Sequence, residues 1–325
     1  MAILLTGAAG FIGSHVATAL LARGEQVIGL DNLNDYYDIR LKTARLARLA
    51  GHAGFHFERV DIADAAAVEA VTAAHPRIDR IVHLAAQAGV RYSLTNPYAY
   101  VSSNVMGHVV MLEAARRIQG LRHMVYASSS SIYGADSVVP FAENERADTP
   151  VSLYAATKRS DELMSHAYAH LFGLPLTGLR FFTVYGPWGR PDMAYYSFAR
   201  AIVRGEPITV FDGGRLKRDF TYIDDITAGV LACLDRPPGA GEAARVLNIG
   251  NHQSEAVGTL IALLEQGLGR SAVIRDAARP RTEVIETFAS VDRLAALTGY
   301  APATPLATGI ARFVAWFKEW HRDDA

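Results

Sequence analysis

Three glycines at three-residue spacing, Gly7, Gly10 and Gly13, stand between a short apolar run, residues 2–6, and a helical pattern that opens at Phe11. A strand that turns this tightly into a helix presents backbone N–H groups at the positive end of the helix dipole, where a pyrophosphate is favoured. The spacing is GxxGxxG rather than the GxGxxG of the simplest dinucleotide fingerprint, and glycines alone also serve ordinary turns. The strand–turn–helix context selects the nucleotide reading.

The rhythm downstream agrees. Strands are predicted at 2–6, 26–30, 55–60, 78–84, 124–128 and 176–181, with helices at 11–23, 39–50, 65–74, 98–119 and 153–172. Apolar strands joined by long helical crossovers give a parallel sheet covered on both faces. The right-handed crossover rule makes it a doubly wound Rossmann sheet, an α/β fold that binds ligands at the carboxyl ends of its strands. Past residue 182 the rhythm breaks at Gly186-Pro187-Trp188-Gly189-Arg190-Pro191, too densely punctuated for a regular element. The expected division is a dinucleotide-binding domain over 1–181 and a smaller C-terminal α/β lobe over 182–325. The lobe serves mainly the substrate, returns some elements to the first domain, and closes with a helix at 306–321.

Composition removes several classes. The 325 residues carry 32 Lys+Arg against 33 Asp+Glu, which argues against a nucleic-acid partner. One cysteine, Cys233, excludes an intramolecular disulfide and a thiolate zinc cage. The 11 histidines show no H-x-H or H-E-x-x-H spacing, and Asp224 and Asp225 read as helix capping, so no metal is expected. No apolar run approaches the ~20 residues of a membrane span, and residues 2–5 are too short for a signal-peptide core. The expectation is a cytoplasmic protein without a membrane partner.

Further residues carry chemistry. Asp31 ends the second strand 18 residues past Gly13, where an acid binds the adenosine ribose and repels a 2′-phosphate, favouring NAD over NADP. Asp61 and Ile62, after the third strand, are placed to touch adenine, although Asp61 also suits a helix N-cap. Tyr154 and Lys158 lie one turn apart on a predicted helix, which sets an ammonium beside a phenol and favours the phenolate. Ser128 to Ser131 follow the fifth strand, whose carboxyl end faces the cofactor. Together these pieces read as hydride transfer with a tyrosine acid/base.

The glycine trio, Asp31, the serine run and Tyr154/Lys158 resemble the extended short-chain dehydrogenase/reductase family of nucleotide-sugar enzymes. The likeness extends over essentially the whole chain, through His83-Leu84-Ala85-Ala86-Gln87-Ala88, Asn104, the segment from Arg180 to Pro187 and the segment from Arg218 to Asp225. Within the family, Asn32-Leu33-Asn34-Asp35-Tyr36-Tyr37 and the segment from Gly186 to Met193 are most similar to UDP-glucuronate 4-epimerases. The resemblance implies NAD held by Gly7, Gly10, Phe11, Ile12, Gly13, Asp31, Asn32, Asp61, Ile62, Leu84, Ala85, Ala86, Gln87, Asn104, Tyr154 and Lys158. It implies reversible C4 epimerisation of UDP-glucuronate to UDP-galacturonate through a 4-keto sugar, with Tyr154, Lys158 and Ser129 catalytic.

Departures from related enzymes narrow the outcome. Dehydratases of this type place Asp-Glu after the catalytic hydroxyl residue, and the decarboxylase places a glutamate nearby; this chain has Ser130 and Ser131 there. A 4-keto uronate is a β-keto acid, so its C6 carboxylate must be held out of the geometry that expels CO2. Arg190 can grip that carboxylate as a bidentate pair, with Thr183, Ser130 and Ser131 completing the set. The expectation is that a neutral C6 leaves Arg190 without a partner, which disfavours UDP-glucose. Arg218 matches the family's pyrophosphate arginine, and Val210 and Phe211 the uracil sandwich. A second arginine is expected at Arg281 rather than Arg279, where the chain departs from the usual Pro-Gly-Asp step. Helices 98–119 and 153–172 match the pair that forms the family's homodimer through a four-helix bundle. The competing functions are a UDP-glucose or UDP-N-acetylglucosamine 4-epimerase and, behind them, a UDP-glucuronate decarboxylase.

Overall fold

The computed structural model describes residues 1–134, 138–239, 242, 244–280 and 284–322. In the first half, β1 (Ala2–Thr6), β2 (Val27–Asp31), β3 (Phe55–Arg59), β4 (Ile78–His83), β5 (His123–Ser129) and β6 (Leu176–Phe181) alternate with α1 (Phe11–Ala22), α2 (Ile39–Ala47) and α3 (Ala65–Ala74). The next crossover is α4 (Pro97–Tyr100), a π-helical stretch Val101–Met106 and α5 (Gly107–Arg117); the last is α6 (Leu153–Phe172). Every residue of β1, β2, β4 and β6 is buried, as expected of strands covered on both faces.

The remaining elements are β7 (Thr183–Tyr185), α7 (Ala194–Arg204), β8 (Pro207–Phe211), β9 (Lys217–Arg218), β10 (Phe220–Tyr222), α8 (Ile223–Leu234), β11 (Ala244–Ile249), β12 (Glu255–Ala256), α9 (Val257–Leu268), β13 (Val273–Ala277), α10 (Asp292–Thr298) and α11 (Leu306–Trp320). The main sheet runs β3-β2-β1-β4-β5-β6-β11, with every pairing parallel. The order reverses between β1 and β4, and a crevice opens there at the strands' carboxyl ends. After residue 182 the chain comes back to this sheet: β11 pairs with β6 from Ala244↔Leu176 to Ile249↔Phe181, and α8 packs beside α1. The small pairs β7–β10, β8–β13 and β9–β12 stand outside this sheet.

The helix expected over 98–119 is not uniform. Its π-helical turn carries Asn104 inward, where Oδ1 accepts from Gln87 N (2.8 Å) and Nδ2 donates to Gln87 O (3.0 Å) and Thr157 Oγ1 (3.0 Å). A wider turn stabilised by these partners replaces regular helix. Two apolar layers hold the sheet. Leu5, Leu20 and Val125 share one core with Ile226, Phe313 and Phe317 from later in the chain, and Leu4, Ile81, Met111 and Tyr126 lie on the opposite face.

Candidate active site

A cavity of about 850 Å³ lies over the carboxyl ends of the central strands, closed on the other side by residues between Phe181 and Val257. Gly7 (φ +75°), Gly10 and Gly13 form its base with Phe11 and Ile12. A Cβ at Gly13 would stand 2.0 Å from Gly7 O, and one at Gly10 2.9 Å from the same oxygen, so neither position admits a side chain while the turn keeps its shape. Asp31, on the wall, accepts from Ala9 N (3.2 Å) and Leu33 N (2.8 Å), and Lys42 Nζ lies 3.5 Å away while donating to Asn34 (2.8 Å). A glycine cradle at a helix N-terminus beside a fixed carboxylate fits a dinucleotide.

Asn32, Ile62, Leu84, Ala85, Ala86 and Gln87 also line the cavity. Two residues expected to touch cofactor, Asp61 and Asn104, are not among those that line the cavity. Asp61 accepts from Asn32 Nδ2 (2.9 Å) and Ala63 N (2.9 Å), and the cap of α3 is Asp64, not Asp61. Asn104 is buried, its amide spent on Gln87 and Thr157. Both fix a loop that carries wall residues.

Helix α6 carries Tyr154 and Lys158. Ser152 Oγ accepts from Ala155 N to start it, and it ends at left-handed Gly173. Tyr154 and Lys158 reach the cavity from its first turns. Lys158 is buried, and its ammonium donates to Asp161 Oδ2 at 2.9 Å. Burial pushes the Asp161 carboxyl up to about 6, against the pull of Lys158, and its Oδ1 has no hydrogen-bond partner. His83, bonded to Thr6 Oγ1 (2.8 Å), is pushed down to about 3 by burial and then by the Lys158 charge, so a neutral ring backs the lysine.

The serine run divides. Ser128 turns into the interior and donates to Glu162 Oε1 (2.6 Å), whose carboxylate also binds Arg180 Nε and Nη2 at 2.9 Å each. All four serines contribute to the cavity lining, with Ser129 Oγ donating to Ser131 Oγ (3.0 Å) and accepting from its N–H (3.2 Å).

Opposite them stand Thr183, Arg190, Val210, Phe211 and Arg218. The Arg91 guanidinium lies over the Phe211 ring at 5.5 Å. Arg279 pairs with Asp212 at 3.7 Å, and Arg281 lies outside the described residues. Arg190 has a partner of its own: Nε donates to Asp192 Oδ1 (3.1 Å) and Nη2 to Oδ2 (2.5 Å). Tyr36 Oη adds a bond to Asp192 Oδ2 at 3.2 Å. The expectation that only a ligand can satisfy Arg190 is therefore corrected. Burial would raise the Asp192 carboxyl, but the Arg190 charge and hydrogen bonds hold it below the usual range; burial, then Asp192, pushes Tyr36 up to about 12.

Tyr36, Lys42, Asp161 and Asp192 are the site residues that sequence reasoning missed. Asp161 could have been found three residues beyond Lys158 on one helix face. The meeting of Tyr36 with Asp192 leaves no local signal. Among the described residues, His56, Glu58 and His75 bring possible metal-ligand atoms within 4.8 Å of one another, on the β3 side and away from this cavity.

The NAD dependent epimerase/dehydratase family matches residues 3–250. The probable UDP-glucuronate 4-epimerase of Rhizobium meliloti is 46% identical over 338 residues, covering 99% of this chain and 98% of that protein. UDP-glucuronate 4-epimerase 3 of Arabidopsis thaliana is 47% identical over 97% of this chain and 76% of its own length. Among solved structures, the UDP-glucuronic acid 4-epimerase of Bacillus cereus in complex with UDP-glucuronic acid and NAD superimposes with a TM-score of 0.91 at 35% identity, over 98% of this chain and 100% of that one. With that family match across the strand–turn–helix cradle and the Tyr154/Lys158 helix, the chain belongs to the NAD dependent epimerase/dehydratase family.

Proposed function

We propose that this protein is an NAD-dependent 4-epimerase that interconverts UDP-glucuronate and UDP-galacturonate. The observation that carries the reading is one cavity lined by the glycine cradle, Tyr154, Lys158, Ser129 and a guanidinium, Arg190. Likeness to the Rhizobium, Arabidopsis and Bacillus 4-epimerases supports the same substrate.

NAD would be held by the glycine cradle, Asp31 and Lys158, and when bound it supplies a hydride acceptor that is regenerated each cycle. Tyr154 as phenolate takes the proton of the C4 hydroxyl, and Ser129 orients that hydroxyl or relays the proton. Lys158 holds the nicotinamide ribose and lends positive charge near the phenol. After the 4-keto sugar has turned its other face, Tyr154 returns the proton to the C4 oxygen. Arg190, with Thr183, Ser130 and Ser131, keeps the C6 carboxylate away from alignment with the C4 carbonyl. Neither Ser130 nor Ser131 is a carboxylate, so these positions supply no acid to protonate C5 after CO2 loss. Arg218 faces the pyrophosphate, and Val210 and Phe211 the uracil.

A homodimer and a cytoplasmic location belong to the same proposal. Tyr98, Val101 and Met106 on one helix and Leu163, Leu171 and Phe172 on α6 leave large apolar side chains exposed, which supports a four-helix contact between two copies. Cys233 is buried and unpaired, and no helix among the described residues is long and apolar enough to cross a membrane.

A proton NMR time course with UDP-glucuronate and catalytic NAD tests the reaction. UDP-galacturonate formed without CO2 loss supports the proposal. A pentose product refutes the protective role given to Arg190 and the serines. Turnover of UDP-glucose with none of UDP-glucuronate refutes the substrate.

A further inference from the structure

We propose that Asp192 is the specificity-setting partner of Arg190: by keeping the guanidinium paired whichever sugar is bound, it weakens the discrimination between an acidic and a neutral C6. This rests on the uronate reading of the cavity and deepens it.

The pair is built from three separate segments. Asp192 takes Nε and Nη2 along one edge of the Arg190 fork, at 3.1 and 2.5 Å, and both side chains lie on the cavity wall. The opposite edge, formed by Nη1 and the second Nη2 hydrogen, has donors to offer a second acceptor. Tyr36, 156 residues away in sequence, donates to Asp192 Oδ2 at 3.2 Å, and its ring packs against Tyr92 with centroids 4.7 Å apart. Gly89 (φ +102°) lets the three groups meet. A Cβ there would stand 2.8 Å from Tyr36 Oη, 3.5 Å from Asp192 Oδ2 and 3.6 Å from Arg190 Nη2. Both partners of the ion pair keep contact with solvent, their side chains 21% and 29% exposed, so it is the Tyr36 bond and the close Gly89 turn that fix the pair.

Specificity is a difference between two binding free energies, and Asp192 acts on both. For a neutral hydroxymethyl sugar, Asp192 already balances Arg190, so the penalty of a desolvated, unpaired guanidinium is absent. For a uronate, the incoming carboxylate shares its arginine with Asp192 and meets that residue's negative charge. The first effect improves the neutral ligand and the second weakens the acidic one. Both compress the difference. Removing the charge of Asp192 while keeping its shape must widen it.

The test uses the NAD-loaded enzyme and two constants, KM for UDP-glucuronate and Ki of UDP-glucose as a competitive inhibitor. Neither constant depends on the fraction of folded enzyme, so their ratio reports the site itself. In Asp192→Asn the ratio Ki/KM is expected to rise about tenfold or more, the effect of one charge-assisted hydrogen bond. Asp192→Glu restores the charge and is expected to stay within about threefold of wild type. Asp192→Ser repeats the charge removal with less bulk if the asparagine variant folds poorly. An unchanged or lower ratio in both neutral variants, with wild type active on UDP-glucuronate, overturns this inference alone. A wild-type enzyme inactive on UDP-glucuronate overturns the proposed function and this inference with it.

Discussion

Glu162→Ala removes the carboxylate that ties α6, the helix carrying Tyr154 and Lys158, to strands β5 and β6. Its oxygens accept from Arg180 Nε and Nη2 (2.9 Å each), Ser128 Oγ (2.6 Å) and Arg159 Nη1 (3.0 Å), and both Glu162 and Arg180 are buried. With the carboxylate gone, Arg180 keeps the bond from Nη1 to Tyr133 Oη (2.8 Å) but loses its counter-charge. Removing one partner of a buried ion pair costs about 3–5 kcal/mol. The stranded Ser128 hydroxyl adds about 1 kcal/mol. At about 2 °C per kcal/mol for a chain of this size, Tm should fall by about 8–12 °C.

Thermal unfolding of the NAD-loaded protein measures this, and a cycle with Arg180 isolates the pair. Glu162→Leu with Arg180→Met removes both charges together, and the double variant is expected to be less destabilised than the sum of the single ones by about 2 kcal/mol or more. A drop below about 2 °C for Glu162→Ala, or strict additivity in the cycle, would show that the pair does not anchor α6.

Three other outcomes follow from the same physics. Gly13→Ala, whose methyl would sit 2.0 Å from Gly7 O, should lose most bound NAD and about 1–3 kcal/mol of stability, with Gly10→Ala milder because its contact is 2.9 Å; an alanine variant that retains stoichiometric NAD by absorbance contradicts the cradle. Burial lowers His15 to about 4, His83 to about 3 and His123 to about 4, and lowers His108 too, so the unfolded chain takes up protons first and stability is lost as pH falls below 6.5. At pH 5 the first three cost roughly 6 kcal/mol together, while Asp161 and Asp219, raised by burial to about 6, act with the opposite sign and return roughly 3; Tm should therefore fall between pH 7 and 5, and a rise would reverse the balance. If the proposed homodimer forms through these helices, Met106→Glu with Leu163→Glu should halve the mass seen by light scattering without changing the fold, and an unchanged mass would contradict the four-helix contact.

The strands of the first half were legible to within a residue or two because buried parallel strands are written as short apolar runs between turn residues. The glycine cradle, Asp31, the Tyr154/Lys158 helix and the cavity-facing serines were legible because each is a local pattern whose spacing carries its chemistry. What stayed hidden depends on contacts between distant segments. The π-helical turn exists because Asn104 finds Gln87 and Thr157, and Asp61 serves Asn32 while Asp64 caps α3. Nothing near those residues announces either partner.

Arg190 shows how such a hidden partner changes a functional argument. From the sequence alone, a guanidinium placed to grip a carboxylate needs that carboxylate, and preference for a uronate follows directly. The folded chain supplies Asp192 two residues later, turned back along the same fork and seated against Tyr36. Arg190 can then still hold the C6 carboxylate by its second edge, which is what a β-keto acid requires, but it no longer penalises a neutral sugar by standing unpaired. Protection of the intermediate and exclusion of the wrong substrate thus become separate properties. Under this proposal both act through Arg190 but only the second is tuned by Asp192, so an Asp192 substitution should shift the Ki/KM ratio and leave the product free of pentose, whereas an Arg190 substitution should change both.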